Sequence, residues 1–245
     1  MRVLGVNGSP RSYGNTAKLL ELALEGARME GAETERVDLY KLDIKPCLGC
    51  LSDDQLACRH PCPIEDDMLS LYEKVLSSDG LIIATPVYWY GLPGPLKNFM
   101  DRLTSLQNMI YHVGYSLLEG KVGGVVVAGG RQGGVITAAE VIVSLNYMGF
   151  LIPPWSYAYY AGLGDALRDK IAVLGAVNVG RVVALAIKGH SLSERWFKSD
   201  LELDPIVKRV RARVEKLREK EEKERREIWA EKQLSPSPEL NHYDS

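Results

Sequence analysis

The sequence lacks a strong excess of charge of either sign. Its 30 lysine and arginine residues nearly balance 32 aspartate and glutamate residues, so the formal net charge is −2 and the isoelectric point is near 6.1. A nearly neutral chain has no overall electrostatic attraction for the phosphates of a nucleic acid. We therefore expect no nucleic-acid partner.

Long uncharged apolar runs are missing as well. No such run reaches the roughly 18 residues that a membrane-spanning helix needs, and the longest apolar-rich stretch, residues 122–150, is interrupted by glycines and charges. The first residues also do not have the charged and then apolar pattern of a signal peptide. These features predict a cytoplasmic protein without a membrane partner.

Cysteines are few and confined to one place. The 245-residue chain has four, all within 16 consecutive residues, in the pattern CxxC, seven further residues and CxxxC. A disulfide framework would spread its cysteines over a small secreted chain. Four thiolates on one loop can hold an iron–sulfur cluster or a tetrahedral zinc ion, with His60 as a substitute zinc ligand. They can also stay metal-free, as thiols or reversible disulfides. The candidate metal ligands are Cys47, Cys50, Cys58 and Cys62.

Two common nucleotide-binding motifs, GxGxxG and GxxxxGK[ST], are also absent, which disfavours dinucleotides and nucleoside triphosphates. Instead, the stretch GSPRSYGNTAKLL, residues 8–20, follows the first apolar run. It offers hydroxyls, one arginine and the start of a helix, whose unpaired N–H groups and dipole favour an anion. A simple N-capped helix after a turn is the alternative interpretation. The residues predicted to bind one terminal phosphate are Ser9, Arg11, Ser12, Asn15 and Thr16.

Continuous apolar runs alternate with helical patterns along most of the chain. The runs begin with RVLGVNG, TERVDLY, GLIIATPVYW and KVGGVVVAGG, and FLIPPW leads into a fifth. The last helical pattern, residues 165–187, contains Gly180, where we expect a break. This alternation predicts a doubly wound α/β fold with a parallel sheet covered on both faces. In such folds, ligands bind at the carboxyl ends of the strands.

Two further loops follow strands and are expected at the same sheet edge as the phosphate loop. The loop of residues 85–94 carries three adjacent aromatic residues between glycines and prolines, and a flat heterocycle can lie on such a shelf. The loop GGRQGGV allows close backbone approach, and its arginine can meet negative charge on a reduced ring. A phosphate site beside a flat-ring site indicates flavin mononucleotide (FMN). The predicted ring contacts are Pro86, Val87, Tyr88, Trp89, Tyr90, Gly91, Gly129, Gly130, Arg131 and Gly133.

GSPRSYGNTAKLL and TPVYWYGLPGPLKNFMDR resemble motifs of the NADPH-dependent FMN reductase family of flavodoxin-like proteins. The cysteines before IEDDM resemble those of its iron–sulfur flavoprotein branch, where a third cysteine usually stands at the position of Asp53. The resemblance covers roughly residues 1–165. It implies a flavodoxin-like, five-stranded parallel sheet, FMN bound at a subunit interface and a [4Fe–4S] cluster. It also implies electron transfer from NAD(P)H or another donor to a small acceptor.

We expect three regions along the chain. Residues 1–190 form the FMN-binding domain, with the cysteine-bearing loop at 43–66; residues 191–234 form a helical extension, and residues 235–245 a disordered tail. A 3–4 spacing of apolar residues in the extension predicts a seam that packs on a partner subunit of a homodimer or homotetramer; a solvated arm is the alternative interpretation. The seam residues are Val207, Val210, Val214 and Leu217.

The predicted function is an FMN-dependent oxidoreductase that uses NAD(P)H as co-substrate and reduces a small acceptor such as a flavin, a quinone or a metal. Since the cofactor carries the chemistry, no side chain is predicted to be catalytic. Two alternatives remain open. One is an iron–sulfur flavoprotein that transfers electrons between protein partners, and the other is a redox-responsive interaction module built on the cysteines.

Overall fold

A computed structural model describes residues 1–189 and 200–231 of the chain. Five parallel strands form one sheet in the order β2-β1-β3-β4-β5. This order confirms the predicted flavodoxin-like sheet. The predicted tail at 235–245 lies outside the described residues. The strands are β1 (Arg2–Asn7), β2 (Glu33–Asp38), β3 (Gly80–Pro86), β4 (Val122–Gly129) and β5 (Tyr157–Ala161).

Helices cover both faces of the sheet and create two hydrophobic cores. Val3 and Ile82 face the core that contains α1, α8 and α9, whereas Leu4 and Ile83 face the core that contains α3, α4 and α7. This alternation follows from the period of two along a strand. The helices are α1 (Asn15–Met29), α2 (Cys50–Asp53), α3 (Met68–Leu76), α4 (Gly94–Arg102), α5 (Thr104–Gln107), α6 (Ile110–Val113), α7 (Gly134–Tyr147), α8 (Lys170–Ile187) and α9 (Leu203–Glu231).

Helices α1 and α8 pack with their backbones in contact at two glycines. A Cβ atom on Gly26 would lie 1.9 Å from the carbonyl oxygen of Val177, and one on Gly180 would lie 1.6 Å from that of Ala23. The predicted break at Gly180 is wrong, since α8 is continuous from Lys170 to Ile187. The glycine allows the two helices to approach and does not interrupt either of them.

By length and composition α8 could cross a membrane, with a mean hydropathy of 1.8. However, 67% of the helix is buried inside the molecule, and Arg181 within it pairs with Glu30 of the α1 C-cap at 2.8 Å. Burial against the sheet and α1 explains its apolar composition as that of a core helix.

Helix α9 packs its apolar seam on the chain itself. Ile206 and Val210 are buried in the core that contains α1 and α8, and Val214 is buried as well. The expectation that this seam contacts a partner subunit is therefore wrong for Val210 and Val214, which are covered by the chain itself. An apolar stripe in a sequence predicts that something covers it, but not which element does so.

We expect Gly180→Ala to lower the free energy of unfolding by about 3 kcal/mol or more, because the added methyl group collides with a backbone carbonyl that cannot move alone. The measurement is urea-induced unfolding followed by circular dichroism. Gly175→Ala in the same helix is the matched control. A Cβ on Gly175 would lie 3.1 Å from the side-chain Cβ of Ala158 and not against a backbone carbonyl. Because alanine also has a helix propensity about 1 kcal/mol more favourable than that of glycine, we expect a much smaller loss for this control. Equal losses in both variants would contradict the role of Gly180 in helix packing.

Candidate functional site

The loops after β1, β3 and β4 meet at the carboxyl edge of the sheet and surround one cavity of about 420 Å³. This volume lies within the usual range for small-molecule sites. Strand order places β1 and β3 side by side with the crossover directions reversed between them, which is where doubly wound folds bind ligands. The lining residues are Ser9, Pro10, Arg11, Gly14, Asn15, Thr16, Pro86, Val87, Tyr88, Ala128, Gly129, Gly130, Tyr160, Gly162 and Arg225.

The structure brings together most, but not all, of the residues predicted to bind FMN. Members of all three predicted loops line the cavity. Six predicted residues are not among the described residues that line it: Ser12, Trp89, Tyr90, Gly91, Arg131 and Gly133. Sequence reasoning missed Tyr160 and Gly162, which arrive from β5 and the loop after it, and Arg225, which arrives from α9.

The first loop is held by its own polar groups. The N–H of Ser9 donates to Oδ1 of Asn7 at 3.1 Å, and the N–H of Arg11 donates to Oγ of Ser9 at 3.2 Å. At the start of α1, no side chain of the described residues forms a capping hydrogen bond at Gly14. The alternative of a simple N-capped helix therefore has no capping side chain to support it. The first turn keeps N–H groups that suit an anion.

Asn15 lines the cavity and also binds the segment that follows β5. Its Nδ2 donates to the carbonyl oxygen of Gly164 at 2.7 Å, and its Oδ1 accepts from the N–H of Ala166 at 3.0 Å. These two bonds fix the segment after β5 against the N-terminus of α1. Asn15 thus positions one wall of the cavity, in addition to lining it.

The aromatic loop after β3 is a tight turn with unusual backbone angles. Tyr88 and Gly91 exchange two backbone hydrogen bonds of 3.1 Å each. Between them, Trp89 and Tyr90 have φ angles of 51° and 65°, a conformation that costs a bulky residue on the order of 1 kcal/mol or more. The hydroxyl of Tyr90 donates to Oε1 of Gln132 at 2.9 Å and so joins the second loop to the third. The side chain of Trp89 is 98% exposed.

The four cysteines line a second cavity, of about 340 Å³. All four are free thiols, and burial together with the neighbouring thiols raises the pKa of Cys58 to about 11. Nevertheless, within residues 1–189 and 200–231, no three cysteine, histidine, aspartate or glutamate side chains are arranged to hold a metal ion. The donor set suits a thiolate-bound metal, but the ligand geometry is not preformed. His60, considered as a zinc ligand, packs edge-on against Tyr72 with ring centroids 5.3 Å apart.

A buried ion pair fastens both ends of the cysteine loop. Arg102 is 1% exposed, and its Nη1 lies 2.7 Å from Oδ2 of Asp66. The same guanidinium donates to the carbonyl oxygens of Lys45, before the first cysteine, and of Ile64, after the last one, at 3.1 and 3.3 Å. Burial alone would raise the pKa of Asp66, but hydrogen bonds from Arg102 and from the N–H groups of Lys45 and Met68 hold it below its usual value. Asp66 is therefore a structural carboxylate.

The middle of the cysteine loop is held from the other side, by the segment around α5 and α6. Nδ2 of Asn108 donates to the carbonyl oxygens of Gln55 and Cys58 at 2.7 Å each. Nε2 of His112 lies 3.1 Å from the carbonyl oxygen of Cys58, to which it can donate. His112, which as a lone histidine carried no sequence signal, thus has a structural contact.

The model of the family described as NADPH-dependent FMN reductase matches residues 1–162. An iron–sulfur flavoprotein of Methanocaldococcus jannaschii is 35% identical over 201 residues, which cover 77% of this chain and 98% of that one. The structure of RosB with bound 8-demethyl-8-formylriboflavin-5'-phosphate has a TM-score of 0.65 at 22% identity, covering 77% and 81% of the two chains. A flavodoxin from the domain Archaea has a TM-score of 0.51 at 12% identity, covering 77% and 99%. The last two similarities concern the fold.

We expect Arg102→Met to lower the free energy of unfolding by about 3–5 kcal/mol, because the substitution leaves the buried Asp66 carboxylate without its cation. Lys97→Met on the same helix is the control. Lys97 forms an exposed ion pair with Asp101, and its loss should cost less than about 1 kcal/mol. Chemical unfolding at neutral pH measures both. A loss below about 1 kcal/mol for Arg102→Met would show that the pair does not fasten the loop.

Proposed function

The chain belongs to the NADPH-dependent FMN reductase family, and on this premise we propose that it binds FMN in the cavity at the sheet edge. It moves electrons from NAD(P)H, or another donor, to a small acceptor such as a flavin, a quinone or a metal. The match of the family model confirms the resemblance to this family, which consists of flavin-dependent oxidoreductases. The observation that carries the proposal is the convergence of three loops on one cavity.

The residues present fit a phosphorylated flavin. The uncapped first turn of α1, with Ser9, Arg11 and Thr16, offers N–H groups, hydroxyls and a positive charge to the phosphate. Residues 86–88 and 129–130 form the part of the cavity that can hold a flat ring. Bound FMN supplies the redox chemistry. The chain would bind and orient it, and Gly129 and Gly130, which line the cavity, would lie beside the ring.

We further propose that the protein acts in the cytoplasm as a homodimer or homotetramer, with neither membrane nor nucleic acid as a partner. Support for an assembly comes from the aromatic loop after β3, where the adjacent residues Tyr88, Trp89 and Tyr90 are 45%, 98% and 51% exposed. A contiguous group of exposed aromatic side chains favours contact with another protein surface.

A second candidate function is electron transfer between proteins through both FMN and an iron–sulfur cluster. It is favoured by the four thiols around one cavity and by the relatives that are named iron–sulfur flavoproteins. In this case Cys47, Cys50, Cys58 and Cys62 would hold the cluster, and Asp53 would stand where a third closely spaced cysteine is usual.

We expect the protein to bind FMN more tightly than riboflavin, because only FMN carries the phosphate that the first loop recognises. Arg11→Ala should weaken FMN binding by about tenfold or more, since a hydrogen bond to a charged group contributes roughly 1.5–3 kcal/mol. It should leave riboflavin binding unchanged. Quenching of flavin fluorescence measures both affinities. If neither flavin binds at micromolar concentration, the proposed function fails and a redox-responsive cysteine module becomes the better account.

We expect protein purified without oxygen to contain about four iron and four sulfide ions per chain if the second candidate function holds, since a [4Fe–4S] cluster takes four thiolate ligands. Colorimetric iron and sulfide assays provide the measurement. Cys47→Ser should remove most of the iron while FMN remains bound, because the two cavities are lined by different residues. Bound FMN without iron in the wild-type protein would leave the reductase activity as the function.

A further inference from the structure

Helix α9 runs antiparallel to α1, and its C-terminal half contacts the phosphate loop through Glu221 and Arg225. Along α9, Arg209 contacts Glu25 at 3.3 Å, Arg213 contacts Glu25 at 2.9 Å and also Glu21, and Glu221 contacts Ser12. Successive residues along α9 therefore contact residues progressively nearer the N-terminus, from Glu25 and Glu21 to Ser12. The family model ends at residue 162, so α9 is an element beyond the matched region that nevertheless reaches the matched site.

Buried carboxylates fix the position of α9 on α1. Glu21 and Glu25 are 3% and 6% exposed, although they lie in the middle of α1. Carboxylates at such positions require charged or hydrogen-bonded partners, and α9 supplies two of these with Arg209 and Arg213. Burial alone would raise the pKa of Glu25, but Arg213, Arg28 and Arg209 hold it below its usual value. The helix is therefore docked by specific ion pairs as well as by its apolar seam.

Glu221 attaches the next part of α9 to the outer side of the phosphate loop. Its Oε2 accepts from the N–H of Ser12 at 3.2 Å, and its Oε1 accepts from the hydroxyl of Ser12 and from Nζ of Lys41, the latter at 2.7 Å. Ser12, predicted as a phosphate ligand, thus faces α9. The loop is held from behind while its other residues line the cavity.

Arg225 lies one helical turn beyond Glu221 on the same side of α9. Its Nη1 is 3.3 Å from the carbonyl oxygen of Pro10, and the residue lines the cavity together with Ser9, Arg11 and Thr16. A guanidinium at that position is placed for an anion held by the first turn of α1, since its planar donors match phosphate oxygens.

We propose that Arg225 is a phosphate-binding residue of the flavin cavity, contributed by α9 from outside the region that the family model covers. This inference rests on the proposed function, because the anion it assigns to Arg225 is the phosphate of FMN. Arg11 and Arg225 then contact the same phosphate from two elements that are far apart in sequence. The position of Arg225 is set by the Glu221–Ser12 contact one turn earlier.

The test compares three variants of the full-length chain: Arg225→Ala, Arg225→Lys and Arg218→Ala. Arg218 is the matched control, since it lies on the same helix and pairs at the surface with Glu215 and Glu222 but does not line the cavity. Binding of FMN and of riboflavin to each purified apoprotein is measured by fluorescence quenching. Thermal melting by circular dichroism verifies that all variants are folded.

Arg225→Ala is expected to raise the dissociation constant for FMN by about tenfold or more and to leave that for riboflavin within about twofold. Arg225→Lys should recover part of the loss, because it restores the charge but not the planar donors. Arg218→Ala should bind both flavins like the wild type.

Equal FMN affinities for Arg225→Ala and Arg218→Ala would overturn the inference while the proposed function stands. Equal weakening of FMN and riboflavin by Arg225→Ala would also overturn it, since the side chain would then support the fold and not the phosphate. A wild-type protein that binds no FMN would overturn both.

Discussion

Helix α1 is held in place by contacts with two other helices. One side of the helix touches α8 backbone to backbone at Gly26 and Gly180, and another side is bound to α9 by Glu21 and Glu25. These contacts leave the helix little freedom to slide or turn. Since its first turn forms part of the cavity, packing far from the site determines where the N–H groups of that turn point.

The sheet and the three loops could be predicted from the sequence because they depend on local patterns. Continuous apolar runs predicted the buried parallel strands, and glycine, serine and threonine after the first run predicted the loop that lines the cavity. What could not be predicted depends on contacts between distant segments. Gly180 has the same identity whether it breaks a helix or admits a neighbouring one, and only the distance to Ala23 distinguishes the two. Likewise, the Ser12 hydroxyl and its place in the first loop are typical of a phosphate ligand, but Ser12 contacts the carboxylate of Glu221, 209 residues further along the chain.

The two cavities differ in how far the chain prepares them. In the first cavity, hydrogen bonds within the chain fix the backbone turns, the segment that follows β5, and helix α9. In the second, the thiols share a cavity, yet no three of the potential ligands in the described residues are arranged for a metal. Rigid sites lose less entropy when they bind, whereas a metal can itself order its ligands. The first cavity is therefore largely preformed for a ligand, whereas the cysteines of the second would have to rearrange before they could hold a metal.

Arg102 holds both ends of the cysteine loop against the core of the protein. Lys45, Ile64 and Asp66 are all bound to one guanidinium, and Asn108 binds the middle of the loop. The loop is therefore anchored at its two ends and at its centre. A change in the oxidation state of the thiols can be accommodated between these anchors without a shift of the strands.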